Sequence, residues 1–411
     1  MLYTMQIIFF MTGVCKTQKT LVVIMSHLYM GHNMEGNLTN SYDGQERHDK
    51  RETGIAYLKP TISKGDIKSV LESMISDEIS YGQTARTYEK EFADTFEMQY
   101  ALSTISLTSA YHLSFLSFEV TTEHEIILSS NSSLAALDAI YQVDAKPVLV
   151  DIQKNSFHPS DESILNKIND KTKIIVLSYP YGSFNDYQGI KNSVEELNKS
   201  RKNKLFIIED ISYIIGAENN GHYAGLDSDL SIAGLHEDML MTIGKGAMIL
   251  TNNKTVYSIL KDRRMHGGSK IYRPRFDYGI ADYQAAMGLE QLGHLNAILE
   301  RKRKIGEKYL EVIRQNSGLE TYFKQPKIDT FGAFAVVSQK PLEHIQKYFN
   351  SLQIDTARTI PYGPLHDNLG LSPLDFPNTT RLFERGLLLP VYASLGRISI
   401  ERIMASIKGY Y

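Results

Sequence analysis

Residues 125–152 read EIILSSNSSLAALDAIYQVDAKPVLVDI, and this stretch decides the fold. Two short apolar runs, EIILSS and KPVLVDI, flank SLAALDAIYQV, whose apolar residues recur at helical spacing. The runs lack the alternation of a strand with one wet face, so each predicts a strand buried on both faces. Strand, helix and strand joined by short loops predict a crossover connection and a parallel pair. The pattern continues in KIIVLSYP (173–180) and LFIIED (205–210), with the helical GIKNSVEELNKSRK (189–202) between them. Upstream, GDIKSVLESMIS (65–76), TARTYEKEFADTF (84–96) and TSAYHLSFLSF (108–118) have helical spacing. This alternation predicts an α/β fold with a mostly parallel central sheet.

Past Arg264 the rhythm changes. The long amphipathic DYQAAMGLEQLGHLNAILERKRKIGEKYLEVIRQ (282–315) and shorter elements down to SIERIMASIKGYY (399–411) predict a smaller α+β domain over 265–411. The large α/β domain is assigned to 53–264. Residues 1–52 read as a disordered extension, because GHNMEGNLTNSYDGQERHDKRETG (31–54) is polar and aperiodic. Met25, Met30 and Met34 leave open a later translation start.

At 411 residues, 42% hydrophobic and 22% charged, the chain can bury a sizeable core, and its length favours two domains. A formal charge of −3 gives no electrostatic reason to expect nucleic acid or an anionic membrane as partner. The single cysteine, Cys15, excludes an intramolecular disulfide framework and a Cys-rich zinc site, and fits a cytoplasmic setting. MQIIFFMTGV (5–14) falls short of the roughly 20 apolar residues that a membrane span needs. No His, Cys or carboxylate cluster has metal-ligand spacing.

Ligands of open α/β sheets sit beyond the carboxyl ends of the strands, which directs attention to the acidic end of LFIIED. Around it the chain resembles the DegT/DnrJ/StrS-type sugar aminotransferases, pyridoxal-phosphate enzymes of fold type I, from about Lys59 onward. The resemblance rests on the order and spacing of YGQTARTYEKEFA (81–93), the stretch quoted first, IIEDISYIIGA (207–217), HGG (266–268), DYQAAMGLEQL (282–292) and GLLLPVYASL (386–395). It implies a dimer, a nucleotide-sugar ligand and a role in polysaccharide biosynthesis. It also implies pyridoxal phosphate (PLP) or pyridoxamine phosphate (PMP) as cofactor. That chemistry needs a Schiff-base lysine, an Asp on the pyridine nitrogen, donors for the phosphate and a planar group against the ring.

Carried over residue by residue, the set is incomplete. Asp210 matches the pyridine-nitrogen partner; an Asp that caps the following turn is the competing reading. Gly216, Gly221, Gly225 and Asp229 match the family's landmarks after that Asp and place Met239 at the lysine position without a gap. His236 falls at the family's aromatic-or-His position three residues earlier, and Gly244 and Gly246 match the glycines of the following loop. A thioether has no amine and no useful basicity, so no imine can form at Met239. Lys245, where the family usually carries Glu, is the surrogate to consider.

The Ser-Gly-Thr phosphate turn reads SLTSA (106–110): Leu107 replaces Gly, Thr108 is retained and Ser109 follows. Gly234 stands where the family has a phosphate-binding serine, a loss of about 1.5–3 kcal/mol for a hydrogen bond to a charged group. Asp277 aligns with an Asn lent by the neighbouring subunit, and its charge would repel a phosphate. Ser133 takes the place of the stacking aromatic, while Tyr213 replaces a glutamine and offers another aromatic face. Met239, Met241 and Met248 also read as core filling, His236 and His266 as structural histidines rather than bases, and ERKRKIGEK (300–308) as a solvated helix face.

Three functions compete. The losses at Met239, Gly234, Leu107, Ser133 and Asp277 favour a catalytically inactive pseudo-aminotransferase that holds no cofactor covalently. It would bind a nucleotide sugar, as a homodimer or as a heterodimer with an active paralogue. The second is a dehydratase-like enzyme using freely bound PMP with His236 as base, since some relatives that dehydrate sugars carry His in place of the lysine. The third is an ordinary sugar aminotransferase with Lys245 as its amine.

Overall fold

The computed structural model describes residues 54–76, 79–265, 272–315 and 318–411. The expectations for residues 1–52, Cys15 included, and for His266 and its HGG motif lie outside the described residues. Two helices, α1 (Lys64–Ile75) and α2 (Gln83–Thr95), lead into β1 (Tyr100–Thr104), α3 (Leu107–Ser117), β2 (Glu125–Ser129) and α4 (Leu134–Gln142). There follow β3 (Lys146–Val150), α5 (Asp161–Leu165), β4 (Thr172–Ser178), α6 (Gln188–Asn198) and β5 (Phe206–Asp210). A small hairpin, β6 (Glu218–Asn219) and β7 (His222–Tyr223), precedes β8 (Leu230–Gly234), β9 (Ala247–Thr251) and α7 (Lys254–Arg264).

The large sheet has seven strands in the order β1-β9-β8-β5-β4-β2-β3. β9 runs antiparallel to its neighbours β1 and β8, and the remaining pairs are parallel. The two runs of the opening stretch pair in register, from Glu125 beside Lys146 to Ser129 beside Val150. β2 is buried along its whole length, as its unalternated apolar pattern requires.

The 33-residue helix α8 (Asp282–Arg314) follows. After it come β10 (Leu319–Glu320), β11 (Phe334–Ser338), α9 (Leu342–Ser351), β12 (Ala357–Arg358), α10 (Leu365–Asn368), α11 (Pro377–Arg385), β13 (Gly386–Leu389) and α12 (Arg397–Lys408). The four short strands form an antiparallel sheet in the order β10-β11-β13-β12. At about 1.5 Å per residue, α8 is long enough to reach from the first helices to this second sheet. Near its start, Gln291 donates to Asp66 of α1 at 3.0 Å; near its end, the Tyr309 hydroxyl donates to the Pro390 carbonyl at 3.0 Å.

Three buried charges, Asp282, Arg264 and Glu89, hold α2. The residue at the N-cap of α2 is Gly82, which has no side chain to cap the helix, and Asp282 supplies the missing acceptor. Its carboxylate accepts from the N–H groups of Gly82 (2.7 Å), Thr84 (3.1 Å) and Ala85 (3.0 Å). Arg264, 2% exposed, pairs with Glu89 of α2, and its guanidinium lies 4.2 Å from the Tyr81 ring centroid. Glu89 also accepts from the Ser103 N–H at 2.9 Å, so α2, β1 and α7 meet at one carboxylate. Removing one partner of such a pair strands the other. Glu89→Ala is therefore expected to cost about 3–5 kcal/mol in denaturant titrations, while Lys304→Ala, which breaks an exposed pair with Glu300, leaves the midpoint unchanged.

Candidate functional site

The parallel strands end at one edge of the large sheet, and the turns that follow β1, β5 and β8 bring the candidate residues there. Asp210 ends β5 and Gly234 ends β8. Asp210 is 8% exposed, so its carboxylate needs partners from the protein. Oδ1 accepts from the Ser212 N–H at 3.0 Å and from the Ser212 hydroxyl at 2.5 Å. These are the bonds of an Asp capping the following turn. Oδ2 accepts from the Tyr111 hydroxyl of α3 at 2.7 Å.

Ser212 also accepts from the Gly234 N–H at 2.8 Å, and a Cβ built on Gly234 would lie 3.0 Å from the Ser212 hydroxyl oxygen. A side chain at 234 would thus press on the Ser212 hydroxyl. At the start of α3, Ser106 and Ser109 cap each other reciprocally, and the Ser109 hydroxyl donates to the Ser106 carbonyl at 2.7 Å. Ser109 is committed to the helix cap, Leu107 is buried in the apolar cluster beneath it, and Thr108 stays half-buried at the turn.

His236 is half-buried, and its Nε2 is sheltered without a hydrogen-bond partner. Burial lowers its pKa from the ordinary value, opposed most by Asp238 and also by Asp210, so the ring is neutral at pH 7. Met239 lines a cavity with Pro60, Gln291, Ile298, Lys302 and Tyr392. Lys302 corrects the reading of ERKRKIGEK as a solvated face. It is 5% exposed and donates to the Gly332 carbonyl at 2.7 Å, and burial lowers its pKa to about 8 against the opposing effect of Asp238. Lys304, two residues on, is exposed as expected.

The remaining residues have other engagements. The Tyr213 hydroxyl donates to Asp238 at 3.2 Å, and its ring packs against Gly332 and the core of the second sheet. Ser133 is the N-cap of α4, accepting from the Ala135 N–H at 3.1 Å. Lys245 is exposed, and its carbonyl accepts from Gln284 at 2.9 Å. Asp277 is exposed with a left-handed backbone, φ 52°. Asp210, Gly234 and His236 therefore come together, joined by Tyr111 and Ser212, which the sequence reading passed over.

Asp210 at a strand end and Thr108 at a helix start suit the two poles of a phosphorylated pyridine. The groups around the carboxylate are two hydroxyls, a glycine and an imidazole, and the buried amine of Lys302 lies in the separate cavity that Met239 lines. The environment of His236 is checked by NMR of ring-labelled protein. Its titration midpoint is expected below 6.5 and lower still in Asp238→Asn; a midpoint above 6.5 contradicts the burial that the structure shows.

Residues 60–408 match the DegT/DnrJ/EryC1/StrS aminotransferase family. GDP-perosamine synthase of Escherichia coli O157:H7 is 30% identical over 372 residues, covering 87% of this chain and 98% of the relative. The aminotransferase of Helicobacter pylori involved in pseudoaminic acid biosynthesis has a TM-score of 0.77 at 19% identity, over 86% of this chain and 98% of that one. The E. coli GDP-4-keto-6-deoxy-D-mannose-3-dehydratase with bound hydrated PLP has a TM-score of 0.77 at 20% identity, over 87% and 100%. Structures of similar fold exist in PLP and PMP forms, which makes PLP or PMP the cofactor type that family membership implies. By sequence match along nearly its whole described length, the chain belongs to the DegT/DnrJ/EryC1/StrS aminotransferase family.

Proposed function

We propose that this chain is a non-transaminating member of its family that recognises a nucleotide-linked sugar at the carboxyl edge of its large sheet. The observation that carries the reading is Met239 at the family's lysine position; the groups bonded to the Asp210 carboxylate, Ser212 and Tyr111, include no amine either. The substrate class follows from the E. coli relative, a GDP-perosamine synthase. Large and small domains are taken as 53–264 and 265–411, and PLP or PMP as at most a free ligand. A cytoplasmic setting is part of the reading; among the described residues no helix is long and apolar enough to cross a membrane.

Assembly as a homodimer, or as a heterodimer with an active paralogue, is supported by α1. Its Ile67 (55% exposed), Leu71 (49%), Met74 (58%) and Ile75 (49%) form one uncovered apolar stripe. Light scattering is expected to give twice the chain mass for the native protein and a monomer for Leu71→Glu/Met74→Glu; a native monomer contradicts the homodimer.

The chemical reading is tested by titrating the native chain and Met239→Lys with PLP, followed by borohydride reduction and peptide mapping. The native chain is expected to give no imine absorbance band and no stoichiometric adduct; an adduct at position 239 in the variant alone would show the pocket otherwise intact, and none in either chain that cofactor entry is lost as well. A second reading, an active enzyme with a displaced amine, is favoured by Lys302, a buried amine lining the cavity of Met239. A stoichiometric native adduct at Lys302 or Lys245 establishes it and removes the first. Turnover of a nucleotide-linked keto sugar with PMP that is lost in His236→Asn establishes the dehydratase reading instead.

A further inference from the structure

We infer that the Tyr111 phenol is a built-in occupant of the aromatic donor's place on Asp210, so that the chain's own ring shuts a free pyridinium out of this site. This rests on the assignment of Asp210 as the family's ring partner. Tyr111 leaves α3 one turn after its start, and helical side chains lean back toward the N-terminus. Its hydroxyl ends 2.7 Å from Oδ2 of Asp210, at the end of β5. One side chain therefore links the helix that carries the phosphate turn to the carboxylate, the two poles between which a phosphorylated pyridine would lie.

The chemistry of the two rings is alike at the point of contact. A phenol offers one O–H donor at the edge of a six-membered aromatic ring, and a pyridinium offers one N–H. A carboxylate has about four acceptor positions. Ser212 takes two at Oδ1 and Tyr111 one at Oδ2, which leaves a single position, on the oxygen that the Tyr111 hydroxyl already holds. Burial, with the adjacent Asp210 charge, raises the Tyr111 pKa well above its ordinary value, so the phenol keeps its proton and remains a donor.

The ring is also held in place by packing. Tyr111 is 1% exposed and lies in an apolar cluster with Leu107, Ile208 and Ile232, its centroid 5.8 Å from that of Phe115. A ligand that displaced the hydroxyl would leave a buried donor without a partner.

The test uses PMP, whose amine cannot condense with a lysine, so the outcome is independent of whether any lysine forms an imine. Equilibrium dialysis of the full chain is expected to show that Tyr111→Leu binds PMP roughly tenfold or more tighter than the native protein, the size of one charge-assisted hydrogen bond regained. Adding Asp210→Asn should abolish the gain. Equal or weaker binding by a folded Tyr111→Leu chain overturns the inference, because the phenol then supports the site instead of filling it. Should Tyr111→Leu fail to fold, Tyr111→Phe serves: tighter PMP binding supports the inference and unchanged or weaker binding overturns it. An imine in the native chain would remove the proposed function and leave this comparison standing.

Discussion

A buried carboxylate has to be hydrogen-bonded, and the arrangement of this site follows from how Asp210 meets that demand. β5 runs through the middle of the sheet and delivers Asp210 to its carboxyl edge with little exposure. In a cofactor-bearing relative a ring nitrogen would share the task. Here Ser212 and Tyr111 provide three donors from the chain itself. Ser212 then accepts from the Gly234 N–H, which ties the end of β5 to the end of β8. The same few side chains thus satisfy the carboxylate and join two strand ends.

The surrounding scaffold is built to keep this edge fixed. Asp282 caps α2 from the start of α8, and Glu89 gathers α2, β1 and α7. Further along α8, Lys302 is buried where the helix meets Gly332, beside the cavity of Met239. A lysine in that position carries a desolvation cost, which its lowered pKa expresses. The loop after β8 therefore lies between two unlike environments, a neutral imidazole toward Asp210 and an amine toward the second sheet.

Much of the architecture was legible because buried parallel strands leave unalternated apolar runs. EIILSS, KPVLVDI, KIIVLSYP and LFIIED all became strands, and the long pattern after Ala281 became one helix. The candidate site was legible at Asp210, because a carboxylate at the end of a buried strand carries its own chemistry. Ser212 had a local signal, since a serine two residues after an aspartate commonly bonds back to it. Tyr111 had none, because its partner is 99 residues away in sequence. Lys302 was misread for a different reason. Its charge suggested solvent, yet it falls on the stripe of Leu295, Ile298, Leu299, Ile305 and Tyr309, all buried, and the helical period outweighs the residue type.

What this site can bind depends most on which groups hold Asp210. A crystal structure of the native chain grown in excess PLP tests this directly. The expected result is the Tyr111 hydroxyl still on Asp210 with no ring bonded to any side chain. A pyridine nitrogen on Asp210, with continuous density from the cofactor to a lysine, would contradict it.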